Sequence, residues 1–224
     1  MRRTRIKMCG MMTPDAARAA IDAGADAIGM ILHAPARRRI ELSVAERIVR
    51  VVPAGVSAIG VFVDAPALLI KGYAAALGLS AIQLHGDEPV ELIADLHPLP
   101  VIRAIRCVGI DVASSLIRWR DLADALPNLR GLLLDSGAGG SGQSNDWDAL
   151  AAALPALQDA LPVVLAGGLT PQTVPAVVRR FRPYMVDVSS GIECEHGRKS
   201  PEKMRAFHDA VAQADLDTAG ARPA

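Results

Sequence analysis

The chain has 224 residues, 51% of them apolar, enough for a well-filled core and too apolar for a disordered protein. Its 24 Lys and Arg balance 24 Asp and Glu, so no bulk field draws nucleic acid or an anionic membrane surface. Aromatics, at 3%, supply no platform for stacking bases.

The opening "MRRTRIKMCGMMTPD" is basic but meets Gly10, Thr13 and Pro14 before any apolar segment of a signal peptide develops. No apolar run approaches the ~18 residues of a membrane span. Cys9, Cys107 and Cys194 are odd in number and far apart, which fits neither a disulfide framework nor a CxxC metal set. A soluble, cytoplasmic protein without metal is expected.

Along the chain, residues 4–9 "TRIKMC" read as the first strand, and Thr13 with Pro14 as the cap and first residue of the following helix. Further strand-like runs fall at 26–32, 56–63, 80–85, 100–106, 129–135, 161–166 and 184–189. Helical patterns lie between them. "DEPVELIADL" follows the fourth run, "TPQTVPAVVRRF" repeats the Thr-Pro start at Thr170 and Pro171, with Pro175 in its first turn, and "SPEKMRAFHDAVAQ" follows the eighth.

Eight strands each followed by a helix imply parallel pairing, and about 220 residues matches the length of a (β/α)₈ TIM barrel. No linker divides the chain, so one α/β domain is expected over residues 1–213, with 214–224 as a frayed tail. A doubly wound open sheet is the alternative. The "GADAIG" stretch at 24–29 and the lack of a first-turn GxGxxG weigh against its dinucleotide-binding form.

Such a barrel carries its chemistry at the carboxyl ends of its strands, which here are Cys9, His85, Asp135, Gly167 with Gly168, and Ser189, Ser190 with Gly191. The glycine turns "GAGGSG" 137–142, "AGG" 166–168 and "SSG" 189–191 follow the last three strands, where backbone N–H groups can approach a phosphate. Any one of them alone reads equally as a plain loop. A lone cysteine is ordinarily a small buried hydrophobe, but Lys7 on the same face favours a Cys9 thiolate that acts as a base. Asp135 ends the apolar run "GLLLD" and, if partly desolvated, holds a proton to donate.

Lys7, Arg103 and Asp187 share the inward parity of their strands if the strand ends align, and a Lys7–Asp187 pair is expected because buried charges need partners. "ARRRIE", 36–41, reads either as a solvated loop or as a carboxylate clamp. Gln83 and His85 in "QLHG" offer polar contacts to a sugar, and His85 equally fits a satisfied structural histidine. It lacks the companions of a metal site.

Taken in order, "KMCG", "GADAIGMIL", "IGVFV", "IQLHGDEP", "LLLDSGAGGSG", "LAGGLTPQTV", "VDVSSGIE" and "GRKSPEKMRAF" resemble phosphoribosylanthranilate isomerases over nearly all of residues 4–210. The resemblance implies a tryptophan-pathway isomerase that needs no cofactor, with Cys9 as general base and Asp135 as general acid. It matches Arg38 to the arginine that holds the anthranilate carboxylate, with Arg37 and Arg39 leaving the register open. It places phosphate on Gly140, Ser141, Gly142, Gly167, Gly168, Ser190 and Gly191, with Lys7, Gln83, His85 and Asp187 about the rest of the substrate. Ser141 and Asn145 stand where that family usually has a threonine and an aromatic residue. The expected partner is a small phosphorylated sugar bearing anthranilate, bound by a monomer or homodimer. Rival readings are another sugar-phosphate isomerase on this barrel, or a silent barrel that binds a phosphorylated metabolite.

Overall fold

A computed structural model describes residues 3–107, 111–135, 150–151, 154, 161–195 and 197–220. Eight parallel strands close a barrel in chain order: β1 (Arg5–Cys9), β2 (Ala27–His33), β3 (Ser57–Phe62), β4 (Ala81–Leu84), β5 (Val101–Arg106), β6 (Leu129–Asp135), β7 (Val163–Ala166) and β8 (Met185–Val188). Every strand is covered on both faces, so the strands read as nearly continuous apolar runs. Inside the ring pack small and medium side chains, among them Ala27, Ile59, Ala104, Leu133, Val164 and Met185. A larger apolar layer lies between the strands and the surrounding helices.

Those helices are α1 (Pro14–Asp22), α2 (Leu42–Val49), α3 (Ala67–Leu77), α4 (Val90–Asp95), α5 (Val112–Ala123), α6 (Val174–Phe181) and α7 (Pro201–Gly220). Helix α1 begins as its sequence dictates, the Thr13 hydroxyl accepting from the Ala16 N–H with Pro14 at the first helical position. α6 starts three residues later than the Thr170-Pro171 signal. Thr170 and Thr173 instead hydrogen-bond each other's backbone N–H through their hydroxyls, which keeps Pro171 in a turn and leaves Thr173 as the cap. Pro175 does sit in the first turn. The helix then buries Val174, Val177, Val178 and Phe181, one stripe at helical spacing.

Two expectations need correction. The chain does not fray at residue 214, because α7 continues to Gly220, buries Ala214, and lets Asp215 accept from both the backbone N–H and the hydroxyl of Thr4 beside β1. Arg103 does not face the interior. The β5–β6 register shifts between Val101 and Ile102, and Ile102 and Ala104 take the inward positions, so Arg103 lies outside the ring against the Trp119 ring of α5.

Candidate active site

The carboxyl ends of the strands form a mouth whose floor is set by β1 and β8. Their register puts Lys7 opposite Asp187, and the ammonium donates to the Asp187 Oδ1 at 2.9 Å with no solvent exposure of Lys7. Burial works against the Lys7 charge, but the Asp187 carboxylate outweighs it and raises its pKa. The expected pair is therefore present.

Cys9 closes β1 two residues on and is buried. Across from it, a side chain on Gly29 of β2 would sit 2.6 Å from the Cys9 sulfur and 3.1 Å from the Lys7 nitrogen, so only glycine there lets the thiol and the ammonium share this pocket. The thiol is nevertheless not pulled toward thiolate. Burial pushes its pKa above the ordinary value, and the attraction of Lys7 and Lys199 offsets only part of that. The expectation that the cation would win is corrected by the cost of an anion in a dry pocket.

After β8 comes a single 3₁₀ turn, Ser190–Ile192, then a two-stranded hairpin, β9 (Glu193–Glu195) and β10 (Arg198–Lys199). Two- and three-residue segments rich in charge carry no strand pattern, so the sequence alone points to no element here and gives Glu193 and Lys199 no role. The hairpin brings both to the mouth. Glu193 accepts from Arg38 Nε at 2.8 Å and Nη2 at 3.1 Å, from Lys199 Nζ at 3.0 Å and from the Gly197 N–H, which together hold its carboxyl down at about 2 despite burial. Lys199 also donates to the Ser189 carbonyl at 2.9 Å. Two cations share one carboxylate, and a net positive charge remains facing a groove of about 840 Å³ that Arg37 also lines. Of the three successive arginines, Arg38 is the one folded over Gly10, next to Cys9, while Arg39 turns outward to Glu41.

The far side of the mouth is built from β4 and β6. Gln83 is buried, and its Nε2 lies 2.7 Å from His85 Nδ1; His85 Nε2 lies 3.4 Å from Asp135 Oδ2. His85 and Asp135 are each about 30% exposed. Gln83 Oε1 is buried and has no hydrogen-bond partner among the described residues. Between the two sides stand the turns after β7 and β8. Gly167 and Gly168 adopt φ of 101° and 64°, which favours glycine, and a side chain on Gly191 would lie 1.9 Å from the Leu169 carbonyl oxygen, so the two turns interlock through backbone alone. Gly140, Ser141 and Gly142 lie outside the described residues.

Thus Lys7, Cys9, Arg38 and Asp187 gather on one side, Gln83, His85 and Asp135 on the other, and Gly167, Gly168, Ser190 and Gly191 between them. Among the described residues no group of three His, Cys, Asp or Glu could hold a metal ion, and no helix is long and apolar enough to cross a membrane.

Residues 6–210 match the family model described as N-(5'phosphoribosyl)anthranilate (PRA) isomerase. The chain is similar to N-(5'-phosphoribosyl)anthranilate isomerase of Chromohalobacter salexigens, 41% identical over 217 residues covering 95% of this chain and 96% of that one. Among solved structures it is similar to phosphoribosyl anthranilate isomerase from Thermotoga maritima, with a TM-score of 0.81 and 31% identity over 94% of this chain and 99% of that one. A phosphoribosyl anthranilate isomerase in complex with reduced 1-(o-carboxyphenylamino)-1-deoxyribulose 5-phosphate matches with a TM-score of 0.79 and 30% identity over the same shares.

Proposed function

The chain belongs to the N-(5'-phosphoribosyl)anthranilate isomerase family, and from that membership we propose that Cys9 and Asp135 are the base and acid of its reaction. The enzyme carries out the aldose–ketose isomerisation of tryptophan biosynthesis, converting N-(5-phosphoribosyl)anthranilate to 1-(o-carboxyphenylamino)-1-deoxyribulose 5-phosphate. The observation that carries the assignment is the placement of a buried thiol and a half-buried carboxyl at strand ends on opposite sides of one mouth.

Asp135 gives its proton to the furanose ring oxygen as the C1'–O bond breaks, and the anthranilate nitrogen supplies the electron pair for the resulting C1'=N bond. Cys9, as thiolate, removes the C2' proton, and the C–H electrons move into the C1'=N group to leave an enolamine. Proton transfer from the C2' hydroxyl and to C1' then gives the ketone. Each positioned proton transfer contributes about 10²–10⁴-fold. Burial, which disfavours the thiolate at rest, makes it a stronger base once formed, and Lys7 stands beside the charge.

The substrate phosphate is held by the backbone around Gly167, Gly168, Ser190 and Gly191, together with Gly140 to Gly142. The left-handed φ of Gly167 and Gly168 and the close backbone approach at Gly191 support this reading. Arg38 takes the anthranilate carboxylate. Glu193 occupies two of the guanidinium's five N–H donors, so the edge formed by Nη1 and Nη2 remains for a second carboxylate. Gln83 Oε1, buried and unpartnered, is the acceptor for a sugar hydroxyl, and Lys7 with Asp187 orients the pocket around the reacting carbons. The enzyme acts in the cytoplasm on this small molecule, as a monomer or homodimer.

The test follows anthranilate fluorescence as freshly made phosphoribosylanthranilate is mixed with enzyme. Wild type is expected to turn over, while Cys9→Ala and Asp135→Asn each lose about 10²–10⁴-fold in kcat. Full activity in either variant removes that residue from its role. No turnover by wild type, with phosphate ligands still protecting it from unfolding, points instead to a different sugar phosphate or a silent binding barrel.

A further inference from the structure

We propose that His85, held by Gln83, is a positioning residue for Asp135, fixing the orientation of the carboxyl and facing the charge left when its proton is delivered. The proposal rests on the reading of Asp135 as the general acid. Gln83 and His85 are two apart on and just beyond β4, so both point to the same side. The Gln83 amide nitrogen, 2.7 Å from Nδ1, can only donate, which makes Nδ1 the acceptor and leaves the ring proton on Nε2. Nε2 is the nitrogen that faces Asp135 Oδ2. The imidazole edge thus meets the carboxyl on its Oδ2 side at 3.4 Å. When the Asp135 proton has gone to the ring oxygen, the same N–H faces the new carboxylate.

The segment behind His85 is fastened more firmly than a surface loop requires. The His85 N–H donates to the Phe62 carbonyl at 2.8 Å. Next along the chain, the buried Glu88 carboxylate accepts from the backbone N–H of Gly86 and of Asp64, each at 3.0 Å, and from the Arg103 guanidinium. Arg103 Nη2 in turn donates to the Gly86 carbonyl at 2.9 Å. The Asp87 N–H donates to Asp64 Oδ1 at 2.8 Å, and a side chain on Gly86 would lie 2.4 Å from that same oxygen. The "HGDEP" run and the outward Arg103 thus form one brace, which ties the ends of β3, β4 and β5 together and sets the backbone from which His85 projects. Preorganisation of this kind matters for a group acting on a reacting carboxyl, because the ring need not reorient as charge develops.

Steady-state kinetics on wild type, His85→Leu, His85→Gln, Asp135→Asn and the His85→Leu/Asp135→Asn double variant test this. His85→Leu is expected to lower kcat about 10²-fold with KM within about threefold. His85→Gln, whose amide N–H reaches about as far as Nε2, is expected to recover to within about tenfold of wild type. In the Asp135→Asn background, His85→Leu is expected to cost less than about threefold, because the residue it positions is already gone. Nitrogen-15 NMR of neutral His85 is expected to show the proton on Nε2 and a changed Nε2–H signal in Asp135→Asn. This spectroscopic readout requires no His85 variant to fold.

A raised KM with unchanged kcat in His85→Leu, an equal further loss in the Asp135→Asn background, or a proton on Nδ1 would each overturn the positioning role and leave the acid assignment intact. An Asp135→Asn enzyme at the wild-type rate would instead remove the acid itself, and the proposal with it.

Discussion

On the β8–β1–β2 side of the mouth, Lys7, Cys9 and Asp187 are buried, with Arg38, Glu193 and Lys199 packed above them as a charged cluster. On the β4–β6 side, His85 and Asp135 are each about 30% exposed and are linked to Gln83 through polar contacts. The proposed base, Cys9, therefore sits in a dry setting, where its anion is costly and correspondingly strong, and the proposed acid, Asp135, sits where solvent can renew its proton. A thiol that abstracts a proton and a carboxyl that donates one want opposite surroundings, and the two sides of this mouth differ in that sense.

The sharpest way to break this contrast is to strand a charge on the dry side. Lys7→Met leaves the Asp187 carboxylate buried without its partner and is expected to cost about 3–5 kcal/mol in urea unfolding. An unchanged midpoint would mean that water reaches the pair. The next effect is on pH dependence. Because the Cys9 pKa lies above the ordinary thiol value, the thiolate fraction grows with pH, and the rate of iodoacetamide alkylation at Cys9, read by mass spectrometry, is expected to climb close to tenfold per pH unit through about pH 8.5. A plateau reached by pH 7 would show that the thiolate is stabilised instead.

A smaller effect concerns the cluster above the base. Glu193→Gln removes the charge that aligns Arg38 and Lys199, and the substrate KM is expected to rise about tenfold, roughly the worth of one charged hydrogen bond. An equal fall in kcat with KM unchanged would place Glu193 in the proton transfers. The smallest effect lies on the wet side, where Asp135→Asn is expected to shift unfolding stability by no more than about 0.5 kcal/mol even as activity collapses. A loss comparable to that of Lys7→Met would erase the distinction between the two sides.

Much of this molecule is written in periodicity and local chemistry. The eight apolar runs match the eight strands to within a residue or two, and the caps at Thr13 and Pro14 act as their types require. Strand-end position placed Cys9 and Asp135 among the candidates, and shared parity paired Lys7 with Asp187, because side chains two apart on a strand face the same way. Other features depend on contacts between segments far apart in the chain. The inward choice of Ile102 over Arg103 follows from a register shift against β6, and the helical end of the chain is held by Thr4, some 211 residues away.

The roles of Glu193 and Lys199 belong to the same class: isolated charges in a short hairpin acquire meaning only when the barrel closes and β8 brings them beside Arg38 and Cys9. The sequence by itself determined the fold, the candidate acid and base and the inward ion pair, since these follow from alternation, spacing and side-chain chemistry. Only the tertiary structure decided how protonated the thiol rests, which arginine reaches it, and what stands behind Asp135. Those answers depend on desolvation and distances across the ring, to which strands on opposite sides of the barrel contribute at once.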